Sequence, residues 1–492
     1  MANRYLASFG LMSIGLGLTS ASHNAALFSY TRASIYTILF YLPLYLTWKL
    51  FLYPFYFSPL LALPQAPREN GWRSFFYRSN SQDVLRWMES VPNDGMIRYL
   101  DILNMEAIAI TTPKGAGEFL QIKADQYMKN PRIMGILKNV IGNGLLVSGG
   151  ADHKTQRKHL LPAFSPKVIK NLYPLFWSKA SEMATLMKRD IQSTSPSQLS
   201  APIRIDDWAG RVALDIIGIA GFGSEFSSLS NPHTELNTLY RAAFLPSDAS
   251  KLIFGLSMVT TPKLVNWMPG ESSALLRKAI AAVTGWVRGM VTKRQAEMLV
   301  GKVGSSEKTV QRDIISTAMN TGAFSTEDLV RQSINILAAG HETSATAVTW
   351  GIYVLSQPRY NHIQKRLREE IRANLPSPSL GKNITSEMID NLPYLDAVSK
   401  EIMRVYAPVP VVGRVPMEDT ELLGTRIPKG TPVRVHIWAL NLSRKLWGED
   451  AHEFNPERWL VGDEKANGGA TDRLAYLPFG YGPRSCVGRG EY

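Results

Sequence analysis

Cysteine occurs once in the 492 residues, at Cys486. One cysteine excludes a disulfide within the chain, and a lone cysteine is commonly a small buried hydrophobe. The neighbours of this one point to chemistry instead. It lies in the run Phe479-Gly480-Tyr481-Gly482-Pro483-Arg484-Ser485-Cys486-Val487-Gly488. Gly480, Gly482 and Gly488 let a backbone bend closely around the sulfur. Backbone N–H groups can then point at a thiolate, and Arg484 adds positive charge; both favour the ionised form that ligates a metal. A zinc site fails on ligand count, because there is no second Cys and only 8 His. His341-Glu342 is no zinc-protease helix, since Ala345 stands where a second His is required. No Gly-x-Ser-x-Gly elbow occurs, while a Cys/His pair for acyl transfer stays open on spacing alone.

A second group with chemistry is Ala339-Gly340-His341-Glu342-Thr343. The element that must carry it is the clearest helix in the chain. It opens at Ser325-Thr326-Glu327-Asp328, a hydroxyl cap with acids at the positive helix end. Apolar and small residues continue to about Ser356, and Pro358 ends the run. Such a helix is roughly 46 Å long, enough to cross a whole domain, and its apolarity requires burial on most sides. Gly340 costs about 1 kcal/mol in a helix interior, so something must pack against the backbone there. The plain reading of Thr343 alone is a hydroxyl bonded back to a helix carbonyl.

A further helix over 394–406 carries Glu401 and Arg404, three apart and able to pair on one face. Beyond Pro408, the runs 411–415 and 431–437 read as short strands, and 454–459 as a loop with a second Glu-Arg. The region from about 85 to 300 reads as mostly helical, with a basic amphipathic stretch at 153–164. The apolar stretch 244–269 is either core or a surface that dips into lipid. Ile336, Leu337, Ala338, Val409, Val411 and Val412 suit the lining of a hydrophobic substrate pocket or, equally, core packing.

Two apolar segments stand at the N-terminus. Residues 5–18 are short for a span. Residues 33–48 carry no charge and reach the length of a bilayer helix when extended to Tyr53. Pro43 is tolerable there, and Trp48, Tyr53 and Tyr56 suit an interfacial belt. Arg4 and Arg32 flank the first segment, and Lys49, Arg68, Arg73 and Arg78 follow the second. The positive-inside rule then leaves the body cytosolic; a cleaved signal ending near Ala21-Ser22-His23 is the alternative. Prolines from Pro54 to Pro67 read as a stiff hinge. Lys and Arg number 54 against 41 Asp and Glu, a net charge of +13. That excess favours an acidic partner or an anionic membrane. No Lys/Arg run interleaved with aromatics speaks for nucleic acid.

Phe479, Gly482, Arg484, Cys486 and Gly488 resemble the Phe-x-x-Gly-x-Arg-x-Cys-x-Gly signature of the cytochrome P450 (haem-thiolate monooxygenase) family. Three other motifs follow the family order: Ala339 to Thr343 is similar to its oxygen-activation segment, Glu401-x-x-Arg404 to its paired-helix motif, and Pro456-Glu457-Arg458 to the loop whose Arg closes a triad with Glu401 and Arg404. The middle motif and the 153–164 stretch look most like fungal microsomal members.

The resemblance implies a mainly α fold with a smaller β region, preceded by a membrane anchor: 1–64 as anchor and Pro-rich hinge, 65–492 as the monooxygenase domain. It implies haem b, with Cys486 as the iron ligand; a thiolate ligand favours O–O cleavage. It implies Thr343 as hydrogen-bond donor to dioxygen, Glu342 as proton relay, and Gly340 as room beside the helix for haem and oxygen. Arg157, Arg414 and Arg484 become the partners of the haem propionates. His153 stands where the family usually has Trp, and Phe479 lies in the signature against the haem. Glu401, Arg404 and Arg458 are structural. The reaction implied inserts one oxygen atom into a hydrophobic small molecule, in fungal secondary metabolism. Electrons would come from NADPH through a membrane-bound NADPH-cytochrome reductase, with the body on the cytosolic side of the endoplasmic reticulum. The family continues beyond the cysteine with a helix and a β-hairpin, whereas six residues follow Cys486 here and Glu491 replaces an apolar position. The domain is therefore expected to lack that helix and hairpin. A truncated inactive member and a non-catalytic membrane haem protein are the other readings; Thr343 with Glu342 argues against the latter.

Overall fold

The computed structural model describes residues 23–68, 71–194, 202–234, 237–240, 271–304, 313–377, 384–460 and 467–489. The apolar segments at 5–18 and 244–269, and Glu491, lie outside them. The principal elements in chain order are α1 (His23–Thr47), α2 (Ser81–Ser90), β1 (Met96–Asp101), β2 (Met105–Ile110), β3 (Tyr127–Met128), α3 (Pro131–Ile141), α4 (Gly150–Leu160), α5 (Tyr173–Thr194) and α6 (Ile205–Phe222). There follow α7 (Glu271–Gly304), α8 (Ile314–Asn320), α9 (Thr326–Leu355), α10 (Asn361–Asn374), α11 (Pro393–Val405), β4 (Val412–Pro416), β5 (Thr420–Leu422), β6 (Thr425–Ile427), β7 (Val433–Val435) and α12 (Ile437–Leu442). The fold is mainly α with a smaller β region, as the sequence implies.

Helix α9 is the beam of the molecule. It starts at the expected cap: the Asp328 amide donates to Ser325 Oγ at 3.2 Å, and the Ser325 amide to the Asp328 carboxylate at 3.3 Å. Leu329, Val330 and Ile334 pack against Val283, Val287 and Val291 of α7. Ile336 and Leu337 pack with Leu214 and Ile217 of α6. The two residues are therefore core, which removes them from the pocket lining. Gln332 and Asn335 are buried because they hold the loop leading into α4: their carbonyls accept the Leu145 and Leu146 amides at 3.0 and 3.1 Å.

Five strands form one sheet in the order β1-β2-β7-β4-β3, and β5 and β6 form a two-stranded ribbon. The β4 and β7 runs were legible; the β1–β2 hairpin was not, and it corrects the helical reading of 85–300. Both its faces are largely buried, so its side chains lack the alternation that marks a half-exposed strand. The Pro-rich stretch after α1 is also ordered: it forms a wide π-type helical segment, Trp48–Phe57, with Pro54 inside. Tyr36–Ala62 is long and apolar enough to cross a membrane, with 6% of it buried against the body.

Candidate active site: a cysteine loop above a cationic cradle

The loop before Cys486 closes on itself. The Cys486 amide donates to the Phe479 carbonyl at 2.8 Å, and the Ser485 amide to the Gly482 carbonyl at 3.0 Å. Two glycines make the bend possible. Gly480 and Gly482 sit at φ +68° and +72°, in the left-handed region, and a Cβ on Gly482 would overlap the Leu120 carbonyl. On the far side, Gly488 packs next to the Cys486 sulfur and Phe164. Phe164 and Ala163 belong to the core shared by α6 and α9, which ties the loop to the central helix.

Cys486 is exposed, although protein atoms pack closely around its sulfur. Burial pushes its pKa up, while the Gly488 N–H and the Arg157 guanidinium pull it down. The stabilising cation is thus Arg157 and not Arg484, and burial outweighs both helpers. A bound metal cation would reverse that balance, since it deprotonates a coordinating thiol outright. Arg157 also fastens the loop: its Nη1 donates to the Ser485 carbonyl at 2.6 Å and its Nη2 to Ser485 Oγ at 3.3 Å.

Around this loop the chain gathers positive charge. Arg414 is buried on β4, with its guanidinium over the Phe119 ring. Its pKa is lowered to about 10 by burial and by Arg484. Lys129 is lowered to about 8 by burial and by Arg484 and Arg414. Its ammonium donates to the Leu146 carbonyl at 2.5 Å. His153 is buried on α4 and lowered to about 4 by burial, Lys129 and the three arginines. Asp125, the carboxylate that acts on Arg484, is exposed and paired with Lys154. Two donors are left over: Arg414 Nη1 and Arg484 Nη1 are buried without a hydrogen-bond partner. An unpartnered buried guanidinium N–H is costly and calls for an anion. The cradle therefore fits a dianionic ligand beside a thiolate-held metal, which is the chemistry of haem and its two propionates. Among the described residues no group of three or more His, Cys, Asp and Glu could hold a metal by themselves. Sequence reasoning missed Lys129; its signal, one Lys before Asn-Pro, is no more than a turn.

The oxygen-motif residues lie mid-way along α9. Ala339 is exposed just after the buried run 332–337, and Thr343 lies one turn on along the same side. The Thr343 hydroxyl donates to the Ala339 carbonyl at 2.7 Å, the plain back-bonded state. Burial raises the Glu342 pKa. Gly340 does not face this side: a Cβ there would meet Ile217 of α6 at 3.0 Å. Its smallness lets α6 approach on that face. His341 completes the same seam, with Nε2 at 2.9 Å from the Gly210 carbonyl of α6.

Behind the loop, a buried cage fixes the scaffold. Arg404 grips Glu401 bidentately at 2.8 and 2.7 Å and donates to the carbonyls of Asn441, Ala451 and Glu453. Glu401 also accepts from Arg458 at 3.2 Å, Trp459 Nε1 at 2.9 Å and the Asn455 amide at 2.9 Å. Glu401 and Arg404 are both fully buried. The expected triad is present, with Trp459 as a fourth member that its sequence context did not reveal.

Fold, cysteine loop and cradle together define a haem-thiolate protein. The Cytochrome P450 family model matches residues 72–490. The chain is 40% identical to cytochrome P450 monooxygenase sphH of Aspergillus fumigatus, over 90% of this chain and 82% of the relative. It is 34% identical to cytochrome P450 monooxygenase FUM15 of Gibberella moniliformis, over 98% and 88%. It is 32% identical to cytochrome P450 monooxygenase ptmK of Penicillium ochrochloron, over 90% and 86%. The chain belongs to the cytochrome P450 family. It is a haem-dependent monooxygenase of the kind that fungal members represent, working with a redox partner on a hydrophobic substrate.

Proposed function

We propose that Cys486 ligates the haem iron and that Arg414 and Arg484, with Lys129 beside them, hold the propionates. The observation that carries this is the pair of buried, partnerless guanidinium nitrogens within a cluster of like charge around the chain's one thiol. Bound haem supplies dioxygen activation, which no side chain offers. Arg157 holds the Ser485 carbonyl and hydroxyl and so sets the pose of the cysteine loop. His153, neutral and buried, closes the α4 side of the cradle, and Phe479 anchors the loop through its carbonyl. Thr343, bonded to the Ala339 carbonyl, would turn its hydroxyl toward dioxygen, and Glu342, whose pKa is raised by burial, would relay protons to it.

The body spans 65–492 and the anchor 1–64. Electrons come from NADPH through a membrane-bound reductase, and the protein resides in the endoplasmic reticulum membrane with its body cytosolic. The apolar Tyr36–Ala62 segment and the net charge of +13 support that arrangement. The fungal relatives support a hydrophobic small molecule of secondary metabolism as substrate. The test is the absorbance spectrum of the reduced, carbon-monoxide-bound chain in microsomes. A Soret band at the long wavelength of thiolate-ligated haem is expected, and Cys486→Ser should abolish it. Haem binding that survives Cys486→Ser with an unchanged band would sink the assignment.

A further inference from the structure

Within the π-type segment Trp48–Phe57, the Leu50 carbonyl takes a partner from the body: Asn104 Nδ2 donates to it at 2.9 Å. Asn104 is 3% exposed and sits at φ +52°, after Leu103 at φ +58°. Two successive left-handed residues are strained, and here they aim one side chain. The Asn104 carbonyl in turn accepts from Arg68 Nη2 at 2.9 Å, and the Arg68 guanidinium lies over the Phe55 ring. One amide thus holds both the end of the membrane segment and the chain that follows it.

A second grip lies next to it. Arg98 of β1, 3% exposed, donates to the Pro54 carbonyl and to Gln65 Oε1, and its Nε donates to Glu106 at 2.7 Å. The backbone around Gln65 runs beside β1 as a short parallel strand, with bonds from Arg98 N to Pro64 O at 2.9 Å and from Ala66 N to Arg98 O at 2.8 Å. Buried hydrogen bonds to charged groups are the stronger kind. A run that composition marks as a hinge is therefore fastened at both ends. Aromatic rings carry the surface onward: Phe51 stacks on Phe75 at 5.4 Å, and Phe75 meets Phe76, which is 63% exposed. Exposed Arg73 and Arg78 flank that edge.

We propose that Arg98 and Asn104 form a socket that locks the segment Trp48–Phe57 to the catalytic body, so that the body meets an anionic bilayer in one fixed orientation with the Phe76 edge against it. The proposal rests on the reading of α1 as the bilayer segment. Its uncharged stretch from residue 33 to Thr47 spans about 22 Å, and Arg32 can snorkel toward the far headgroups. An aromatic edge with flanking arginines suits the headgroup layer.

The test uses the full haem-loaded chain in phosphatidylcholine vesicles containing phosphatidylserine. Asn104→Gly removes the amide and keeps the left-handed backbone. Linear dichroism of the haem band in oriented bilayers should give one narrow tilt for the wild type and a broadened one for N104G, with haem content unchanged. Amide hydrogen exchange over Leu50–Phe57 should be about tenfold faster in N104G, the change that losing one net hydrogen bond implies. Equal exchange and equally broad tilt in both proteins would overturn the socket. Failure of the wild type to float with the vesicles would overturn the bilayer reading alone, and exchange in the same preparation still decides the socket.

Discussion

His341 Nε2 lies 2.9 Å from the carbonyl oxygen of Gly210, joining α9 to α6 one residue before the proposed proton relay. Its ring meets Tyr240 edge-on at 4.6 Å, and its Nδ1 is buried without a partner. Burial lowers its pKa to about 4, so the imidazole is neutral and donates through Nε2. His341→Leu removes the donor and leaves Gly340 alone to set the helix approach. The expected loss is about 1–3 kcal/mol, read by urea denaturation. A stability within error of wild type would show that the seam holds by packing only.

The same geometry fixes a pH dependence. His341 is depressed to about 4 and His436, buried on the sheet against Tyr99, to about 3, from 6.5. A depressed histidine binds its proton in the unfolded chain first. The stability it contributes is full above pH 6.5 and falls as the pH drops toward 4 and then 3, by about 1.4 kcal/mol per unit for each histidine. Unfolding midpoints in urea from pH 7.5 to 4.5 should decline accordingly. In His341→Gln the decline should be shallower; an identical slope would remove His341 from the account.

Arg404 donates five bonds inside the cage, and Glu401 receives as many. Arg404→Ala leaves a buried carboxylate with an empty partner site, a loss of about 3–5 kcal/mol. Haem content per folded chain should fall to background. Normal haem loading in that variant would refute the structural role.

Arg414 should show opposite effects in the two states. Without haem it is a buried cation beside Arg484 with a free Nη1. Arg414→Met removes that penalty, so the haem-free protein should melt higher. Loss of a propionate partner should speed haem release to a scavenger by about 10–100-fold, in line with other residues that support a metal site. A variant that is less stable without haem, or that retains it as wild type does, would contradict the cradle.

Gly482→Ala places a side chain at φ +72° against the Leu120 carbonyl. The left-handed backbone alone costs about 1–2 kcal/mol, and the overlap must shift the cysteine loop. The long-wavelength carbon-monoxide band should be lost in favour of an unshifted one. An intact band would mean that the loop tolerates the shift.

Much of this protein is decided locally, and that part the sequence determined. The cap at Ser325, the length of α9, the pairing of Glu401 with Arg404 and the glycine bend before Cys486 each follow from residues a few positions apart, where propensity and sterics act. Cys486 is the chain's one thiol, and its glycine-flanked run carries the family resemblance that makes it the proposed iron ligand. What only the tertiary structure decided is which cations meet, and which way a residue faces. Arg157 lies 328 positions from Ser485 and holds it, while Lys129 joins the cradle from a loop. Gly340 faces Ile217 and not the open side of α9, because α6 packs there. The run after α1 has the proline content of a hinge, yet Asn104 and Arg98 fix it. Charge burial and helix azimuth are sums over distant segments, and no window of sequence contains them.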